Sequence, residues 1–347
     1  MTLDYDIIIA TANRPEILRV SLPSMMRQIR PPKSLIIADA SNDHEAVVRT
    51  VREATAGAPF EVQVFQAAKG ASPQRNAGLA YSTSPIIFFP DDDSVWFEDV
   101  GENVMRIYER DTDNRIGGVG QAESFESPLK ITQEEERARA SSPLKTLKYR
   151  LSALRHKIVN RWASNPLHLC GLELLARHAI PAWLPELLAI PIERQIGFRM
   201  SWRADSVRRC RFDEDLRLPR SLWEDFSLSF AVLQNQILVE ATNARVYHHR
   251  FGGGRGNGLE NGAEQLLNIC YLVCKFSPPR SRARIAIKPY ARLFAAEAML
   301  RSAASKYERD KLRGMRRARR EFNSLIDSPP DELTARYREA IARCVQP

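Results

Sequence analysis

Ile86-Ile87-Phe88-Phe89-Pro90-Asp91-Asp92-Asp93-Ser94 joins a short apolar run to three consecutive carboxylates. The four apolar residues read as a strand buried on both faces. Three successive like charges repel, and no fold needs them for stability. They persist most naturally where a cation, or a cation with its anionic ligand, offsets the repulsion. An exposed acidic turn, or a cap made by Asp93 or Ser94 ahead of W-F-E-D-V, accounts for them as well. The flanking sequence decides between these readings.

Upstream, residues 5–10 form an apolar strand that ends at T-A-N-R-P, with Pro15 suited to the first turn of a helix. That helix, 16–29, carries Ile17, Leu18, Leu22, Met25, Met26 and Ile29 on one broad face. A strand at 34–38 stops at D-A-S-N-D, a helix follows near 44–56, and a third strand covers 60–65. The loop K-G-A-S-P-Q-R-N then leads into a helix reaching about residue 80. Strands alternating with helices at this spacing imply an α/β fold with a mostly parallel central sheet flanked by helices. Its ligand crevice lies beyond the carboxyl ends of the strands. Polar residues gather at each of those ends: Thr11, Asn13 and Arg14; Asp39, Ser41 and Asp43; Lys69, Gln74, Arg75 and Asn76; then Asp91 to Asp93. Such side chains suit a base, a ribose and a phosphate. Neither G-x-G-x-x-G after the first strand nor G-x-x-x-x-G-K-[ST] is present, so an anion here is held by side chains and a metal rather than by a glycine-rich nest.

The chain of 347 residues has room for one large domain or two modest ones, and its 44% hydrophobic content is that of a globular protein. A formal charge of +9 leaves open polyanions, anionic lipid headgroups and phosphorylated substrates. No twenty-residue apolar stretch spans a bilayer, and M-T-L-D-Y-D-I-I-I lacks the basic region of a signal peptide. Cys170, Cys210, Cys270, Cys274 and Cys344 are odd in number and scattered, which argues for buried thiols and a reducing, cytoplasmic setting.

Further on, a helix is expected from about 97 to 110, then a strand with close backbone approach at I-G-G-V-G-Q-A. Residues 123–143 are polar, a loop or short helix. Residues 144–162 read as an amphipathic helix with Leu147, Leu151, Leu154, Ile158 and Trp162 along one side, and Lys145, Lys148, Arg155, Lys157 and Arg161 on the others. Residues 168–204 are expected to return to sheet, with L-L-A-I-P-I and I-G-F-R-M-S-W-R-A as strands. After a turn at R-F-D-E-D-L-R, Ser221 or its neighbours cap a helix whose first turn presents Glu224 and Asp225. Neighbours on a helix point about 100° apart, so one acid can be structural while the other faces the crevice. The strand I-L-V-E-A-T-N-A-R-V-Y-H-H-R ends in His248 and His249, which alternate to opposite faces; beyond it, F-G-G-G-R-G-N-G offers a loop with Arg250 and Arg255 as anion donors. From about 262 onward, 265–276 is an apolar helix, and 281–321 forms one or two basic helices with Ile285, Ile287, Leu293, Phe294 and Met299 offering apolar contacts. A helical cap over the acceptor side, a peripheral attachment to anionic membrane and a homo-oligomer surface are all open for this part; no nucleic-acid module is present.

Taken in order, A-T-A-N-R-P-E-I-L, I-I-A-D-A-S-N-D, Q-R-N-A-G, F-F-P-D-D-D, G-F-R-M-S-W-R with F-D-E-D-L, W-E-D-F-S-L-S-F and V-Y-H-H resemble the motifs of the family 2 inverting glycosyltransferases of GT-A fold, over roughly residues 5–255. The resemblance implies transfer of a sugar, a hexose by preference, from a nucleotide diphosphate sugar to a saccharide or lipid-linked acceptor, as in polysaccharide and cell-envelope synthesis. It implies that Thr11, Arg14, Asp39, Arg75 and Asp91 bind the nucleotide, that Asp93 and His248 hold Mg2+ or Mn2+, and that Asp225 is the general base. Glu224, Arg199, Arg250 and Arg255 would contact acceptor or phosphate. Asp92 is the most structural of the three aspartates. The corresponding domains are 1–258, with a nucleotide half to about 120 and an acceptor half from 121, and a basic helical extension at 259–347. Localisation would be cytoplasmic, with the inner face of the membrane open. A sugar-phosphate nucleotidyltransferase and a non-catalytic nucleotide- or metal-binding module are the alternatives.

Overall fold

In the computed structural model, which describes residues 2–129, 165–216, 223–249 and 257–345, strands and helices alternate from the start. The order is β1 (Tyr5–Thr11), α1 (Pro15–Met26), β2 (Ser34–Asp39), α2 (His44–Ala54), β3 (Glu61–Gln66), α3 (Ala71–Gly78) and β4 (Ile86–Phe88). It continues with β5 (Ser94–Trp96), α4 (Val100–Arg110), β6 (Ile116–Ser124), α5 (Pro166–Leu175), β7 (Ala189–Ile192), β8 (Met200–Arg203), α6 (Ala204–Cys210), α7 (Glu224–Val232) and β9 (Ile237–His248). Four helices close it: α8 (Gly258–Phe276), α9 (Arg282–Arg301), α10 (Lys306–Ile326) and α11 (Leu333–Val345). The expected helix at 144–162, the cap at Ser221, and Arg250 and Arg255 lie outside the described residues.

The strands form one sheet in the order β3-β2-β1-β4-β8-β6-β9-β5, with β7 also paired to β9. β3, β2, β1 and β4 run parallel, so their carboxyl ends, and the loops that follow them, open on one edge. β8 runs antiparallel to β4 and β6, whereas β6 and β9 are parallel. β1 is apolar without alternation because both of its faces are covered. Ile7 and Ile9 join Leu18 and Leu22 of α1 in the main core, while Ile8 meets α3 at Gly78. The expected close approach in β6 is present at Gly118, where a Cβ would stand 2.1 Å from Gln195 Nε2 and 2.6 Å from the Trp202 ring.

The structure corrects several sequence-based expectations. Residues 168–175, expected in sheet, belong to helix α5; Pro166 sits at its first turn, and the buried positions Leu167, Cys170, Gly171 and Leu174 recur at i, i+3, i+4 and i+7. The strand content of the following stretch shrinks to β7 and β8, since residues 184–187 form a 3-10 turn and Leu188 takes a left-handed conformation. Ser94 is no helix cap: it opens β5, pairs with His248 across the ladder and donates through Oγ to the Phe198 carbonyl at 2.8 Å. α1 ends at Met26, and Ile29, expected on its apolar face, is 69% exposed.

The chain divides into two compact units, Met1–Pro128 with Gly171–Gly254, and Leu129–Cys170 with Arg255–Pro347. In the second unit α8 and α10 cross at backbone contact. A Cβ on Gly262 would stand 2.0 Å from the Lys311 carbonyl oxygen, and one on Gly314 2.0 Å from that of Leu259. Arg284, in the first turn of α9, donates to the Cys274 and Ser277 carbonyls at 2.6 and 2.9 Å and to the Ile326 carbonyl at 3.3 Å, capping the ends of α8 and α10 together. Cys270 and Cys274 are buried as expected. Ile285 and Met299 are 66% and 54% exposed, so they do not supply the packing contacts expected of them; Ile287 does.

One acid in β1 is wholly structural. Asp6 is fully buried and accepts from Ser34, Ser82 and Ser84 hydroxyls at 2.8 Å each, and from the Thr83 and Ser84 amides at 2.9 Å. Burial alone would raise its pKa, but hydrogen bonds from Ser84, Ser82 and Ser34 outweigh it and hold the carboxyl below its ordinary value. Its stabilising contribution is therefore complete above the ordinary carboxylate range and is lost as pH falls through the lowered value. Asp6→Asn should cost about 3 kcal/mol or more in urea unfolding at neutral pH, because a donor replaces an acceptor among buried donors. The gap from the parent should narrow in acid; a neutral substitution would contradict this role.

Candidate active site

The three aspartates after β4 stand in three environments. Asp92 is 1% exposed and accepts from Thr11 Oγ1 at 2.8 Å and from Arg14 Nη2 at 2.7 Å. Burial pushes its pKa up to about 7, against the pull of Arg14 and Thr11. Thr11 and Arg14 thus turn toward this carboxylate, which ties the end of β1 to the end of β4. Asp91 is the most open of the three, with 36% of its side chain exposed, and it lies beside Ala10 in an isolated parallel bridge. Asp93, 6% exposed, sits 3.2 Å from His248 Nε2 through Oδ1, and its carbonyl accepts from the His249 amide at 3.0 Å.

Asp91, Asp93 and His248 each offer one ligand atom, and these atoms lie within 4.8 Å of one another. Carboxylate oxygens with one imidazole nitrogen form a donor set suited to Mn2+ or Mg2+. Charge points the same way: Asp91, Asp92, Asp93, Glu224 and Asp225 outnumber Arg14 and Arg75 in this part of the molecule. The His248 ring stacks face to face on Phe198, with centroids 4.4 Å apart and planes 12° from parallel. The ladder fixes the geometry, since Ser94 pairs with His248 and also holds the Phe198 carbonyl.

Arg75 joins this cluster to the acids of α7. Its guanidinium is almost fully buried and donates from Nη2 to Asp91 and from Nη1 to Glu224, both at 2.8 Å. The Phe212 ring lies 5.3 Å beneath it. α3 aims it there because the neighbours of Arg75 are pinned to backbone. Gln74 Nε2 donates to the Thr11 and Ala38 carbonyls at 2.7 Å each, and Asn76 exchanges hydrogen bonds with the Phe212 backbone at 2.9 and 3.0 Å. Of Q-R-N, the arginine reaches Asp91 and Glu224, while Asn76 also donates to Glu214 at 3.1 Å.

Trp223, just before α7, has φ +70°, a rare conformation for a bulky residue. Asp225 Oδ2 accepts from the Gly197 amide and Oδ1 from the Phe226 amide, each at 2.9 Å. Burial raises the Asp225 pKa to about 6, against the Gly197 hydrogen bond and the Arg75 charge. The Glu224 carboxyl is also pushed up, first by burial and then by Asp225, and Arg75 opposes this. Gly197 and Phe198 together touch both ends of the site, one through an amide on Asp225 and the other through a ring on His248. The sequence stretch I-G-F-R-M-S-W-R drew attention to Arg199, but its working residues here are the glycine and the phenylalanine. The usable signal was their place before a strand that pairs with β4.

Other expected residues are engaged elsewhere. Asp39 is fully buried, accepting from the Ser41 amide at 2.9 Å and facing His44 Nδ1 at 2.7 Å. Asp43 caps α2 by accepting from the Ala46 amide. Asn13, at φ +56°, clasps the same loop: its amide donates to Ser41 and its side-chain oxygen accepts from the Asn42 amide. Arg199 pairs with Glu240 and donates to the Gln121 carbonyl. His249 stands edge-on to Tyr247.

Residues 6–167 match the family described as Glycosyl transferase family 2. Among solved structures, S. aureus TarS 1–349 is similar with TM-score 0.50 and 11% identity, over 98% of this chain and 90% of that one. TarS 1–349 in complex with UDP-GlcNAc is similar with TM-score 0.52 and 10% identity, over 98% and 91%. The mannosyltransferase PcManGT from Pyrobaculum calidifontis, in complex with GDP-Man and Mn2+, gives TM-score 0.49 and 14% identity, over 99% and 86%. No curated protein matches the sequence. At such identities the TarS likeness establishes the fold, GT-A, and the family match runs from β1 through the three aspartates. Residues 6–167 are therefore a glycosyl transferase family 2 region, and the chain is a glycosyltransferase.

Proposed function

We propose that this glycosyltransferase moves a hexosyl group from a nucleoside diphosphate sugar to a hydroxyl of a saccharide or lipid-linked acceptor, in the building of a polysaccharide or cell-envelope glycan, by a single inverting displacement with Asp225 as general base. The observation that carries this reading is the Arg75 bridge, one buried guanidinium that holds Asp91 of the cation-ready cluster at one end and, at the other, Glu224, the neighbour of the high-pKa Asp225. The UDP-GlcNAc bound by TarS indicates a first donor to try.

Asp91, Asp93 and His248 would hold the divalent ion, Mg2+ or Mn2+. When bound there, it offsets the charge that develops on the leaving diphosphate. Phe198 orients the imidazole through its ring face. Thr11, Arg14 and Asp92 keep the β1 and β4 ends together under the nucleotide, with Asp39 holding the adjacent loop in shape. The acceptor hydroxyl is a poor nucleophile until its proton is taken, and Asp225 is placed to take it. Its two backbone donors fix the carboxylate without neutralising it, and its raised pKa makes it a stronger base than an ordinary aspartate. Glu224, held by Arg75, is a positioning residue for that base.

Asp225→Asn should leave donor affinity within about twofold while lowering turnover on the order of 10² to 10⁴. Loss of donor binding instead would reassign Asp225 to the nucleotide. A base with pKa about 6 is active when deprotonated, so kcat/KM should rise with pH through about 6 and level off above, standing about tenfold below its plateau at pH 5. A flat profile across that range would remove Asp225 as base. Asp93→Ala should abolish Mn2+ binding measured by calorimetry, and Phe198→Ala should weaken it about tenfold with the fold intact by circular dichroism. Unchanged Mn2+ affinity in Asp93→Ala would place the ion elsewhere.

A further inference from the structure

α9 and α10 carry thirteen arginines and lysines against four acids, an excess equal to the +9 of the entire chain. These two helices pack against each other, with Lys311 Nζ 5.7 Å from the centre of the Phe294 ring. Three of the four acids are already occupied: Glu297 with Arg301, Asp310 with Arg313, and Glu321 with Arg343 of α11. On α10, Arg309, Arg313, Arg316 and Arg320 recur at i, i+4, i+7 and i+11, all exposed, and therefore form one outward stripe within about 60° of arc.

The outward face of α9 is both cationic and apolar. Ile285, Met299 and Leu300 are 66%, 54% and 81% exposed, among the most open large hydrophobic residues described. At about 100° per residue, Lys288, Met299, Arg292 and Ile285 fall within one arc of about 60°, and Leu300 lies about 60° beyond Ile285. Single exposed apolar residues such as Ile29 and Leu188 are ordinary, whereas three on one helix among five cations and one acid are concentrated. The inward side is apolar for a different reason, since Ala283, Ile287, Tyr290, Ala291 and Ala298 are buried. A helix apolar on both sides, with the outer one flanked by unopposed cations, matches the interfacial zone of a bilayer with anionic headgroups.

We propose that the exposed face of α9, with the arginine stripe of α10, is a docking surface for anionic membrane: Ile285, Met299 and Leu300 enter the headgroup boundary while the arginines meet lipid phosphates. This goes beyond sugar transfer and does not depend on it. Charge complementarity selects the occupant, because neither a neutral bilayer nor an apolar protein surface would offset so concentrated an excess of cation.

The test is flotation of the full chain with vesicles of phosphatidylcholine alone, and with about 30% phosphatidylglycerol, at low and high salt. The protein should float with the anionic vesicles only, and at least tenfold less at high salt. Arg309→Ser with Arg316→Ser and Arg320→Ser should lower partition on the order of a hundredfold, at about fivefold per cation. Ile285→Ser with Leu300→Ser, which touches no charge, should lower it at least tenfold, with melting temperatures unchanged. Asp225→Asn should float like the parent, which separates failure of this surface from failure of the catalytic reading. Absence of flotation at low salt, equal flotation with neutral vesicles, or parent-like flotation of both surface variants would overturn the proposal. So would an arginine-dependent dimer or nucleic-acid complex formed in its place.

Discussion

A single buried guanidinium holds the working ends of this molecule in register. Arg75 donates to Asp91 at the end of β4 and to Glu224 at the start of α7, and it is 2% exposed. Carboxylates this close would repel one another without it, and a guanidinium this deep would be intolerable without them. Removing one member of such a buried set typically costs about 3 to 5 kcal/mol, because the remaining charge is left unpaired. The local sequence is arranged to keep Arg75 in place, with Gln74 and Asn76 committed to backbone partners on either side. The carboxylate cluster after β4 and the acids of α7 are thus tied together by one residue of α3.

Function is visible here as stored cost. The Asp225 pKa is raised from 3.8 to about 6, so its ionised form is disfavoured by burial. That penalty is absent below the ordinary carboxylate value, grows as pH rises between 3.8 and about 6, and is complete above, where it is on the order of 3 kcal/mol. Asp6 behaves in the opposite sense: with no exposed surface at all, it is surrounded by donors and held below its ordinary value. Two buried aspartates are thus shifted in opposite directions, Asp6 down by five donors and Asp225 up because its two backbone donors do not offset burial. Trp223, at positive φ before α7, adds backbone strain at the same place.

Much of this was legible in the sequence, for identifiable reasons. β1, β2 and β4 are buried on both faces, so their apolar runs stood out, and the polar residues after each run marked the open edge of the sheet. The unequal placing of Asp91, Asp92 and Asp93 is implied by the family resemblance, since three identical side chains in a row carry no register of their own. Less legible was where polar side chains spend their hydrogen bonds. Gln74, Asn76 and Asp43 carry the residue types of a ligand site but satisfy backbone, and Asp39 closes its own loop. Phe198 looked like an ordinary strand residue, because a ring stacked on His248 leaves no trace in spacing. The helix at 168–175 is hard to see because Leu169 and Leu172 lie off its buried face and blur the helical period of a short apolar stretch.

The central claim is that one carboxylate base acts opposite one cation-stabilised leaving group, with no covalent intermediate. Its most direct test is the anomeric configuration of the product, read by proton NMR before mutarotation, from an α-linked nucleotide sugar turned over by the enzyme. A single displacement gives a β-configured product. A product that keeps the α configuration would contradict it, because retention needs a second nucleophile that Glu224, tied to Arg75, is not placed to be.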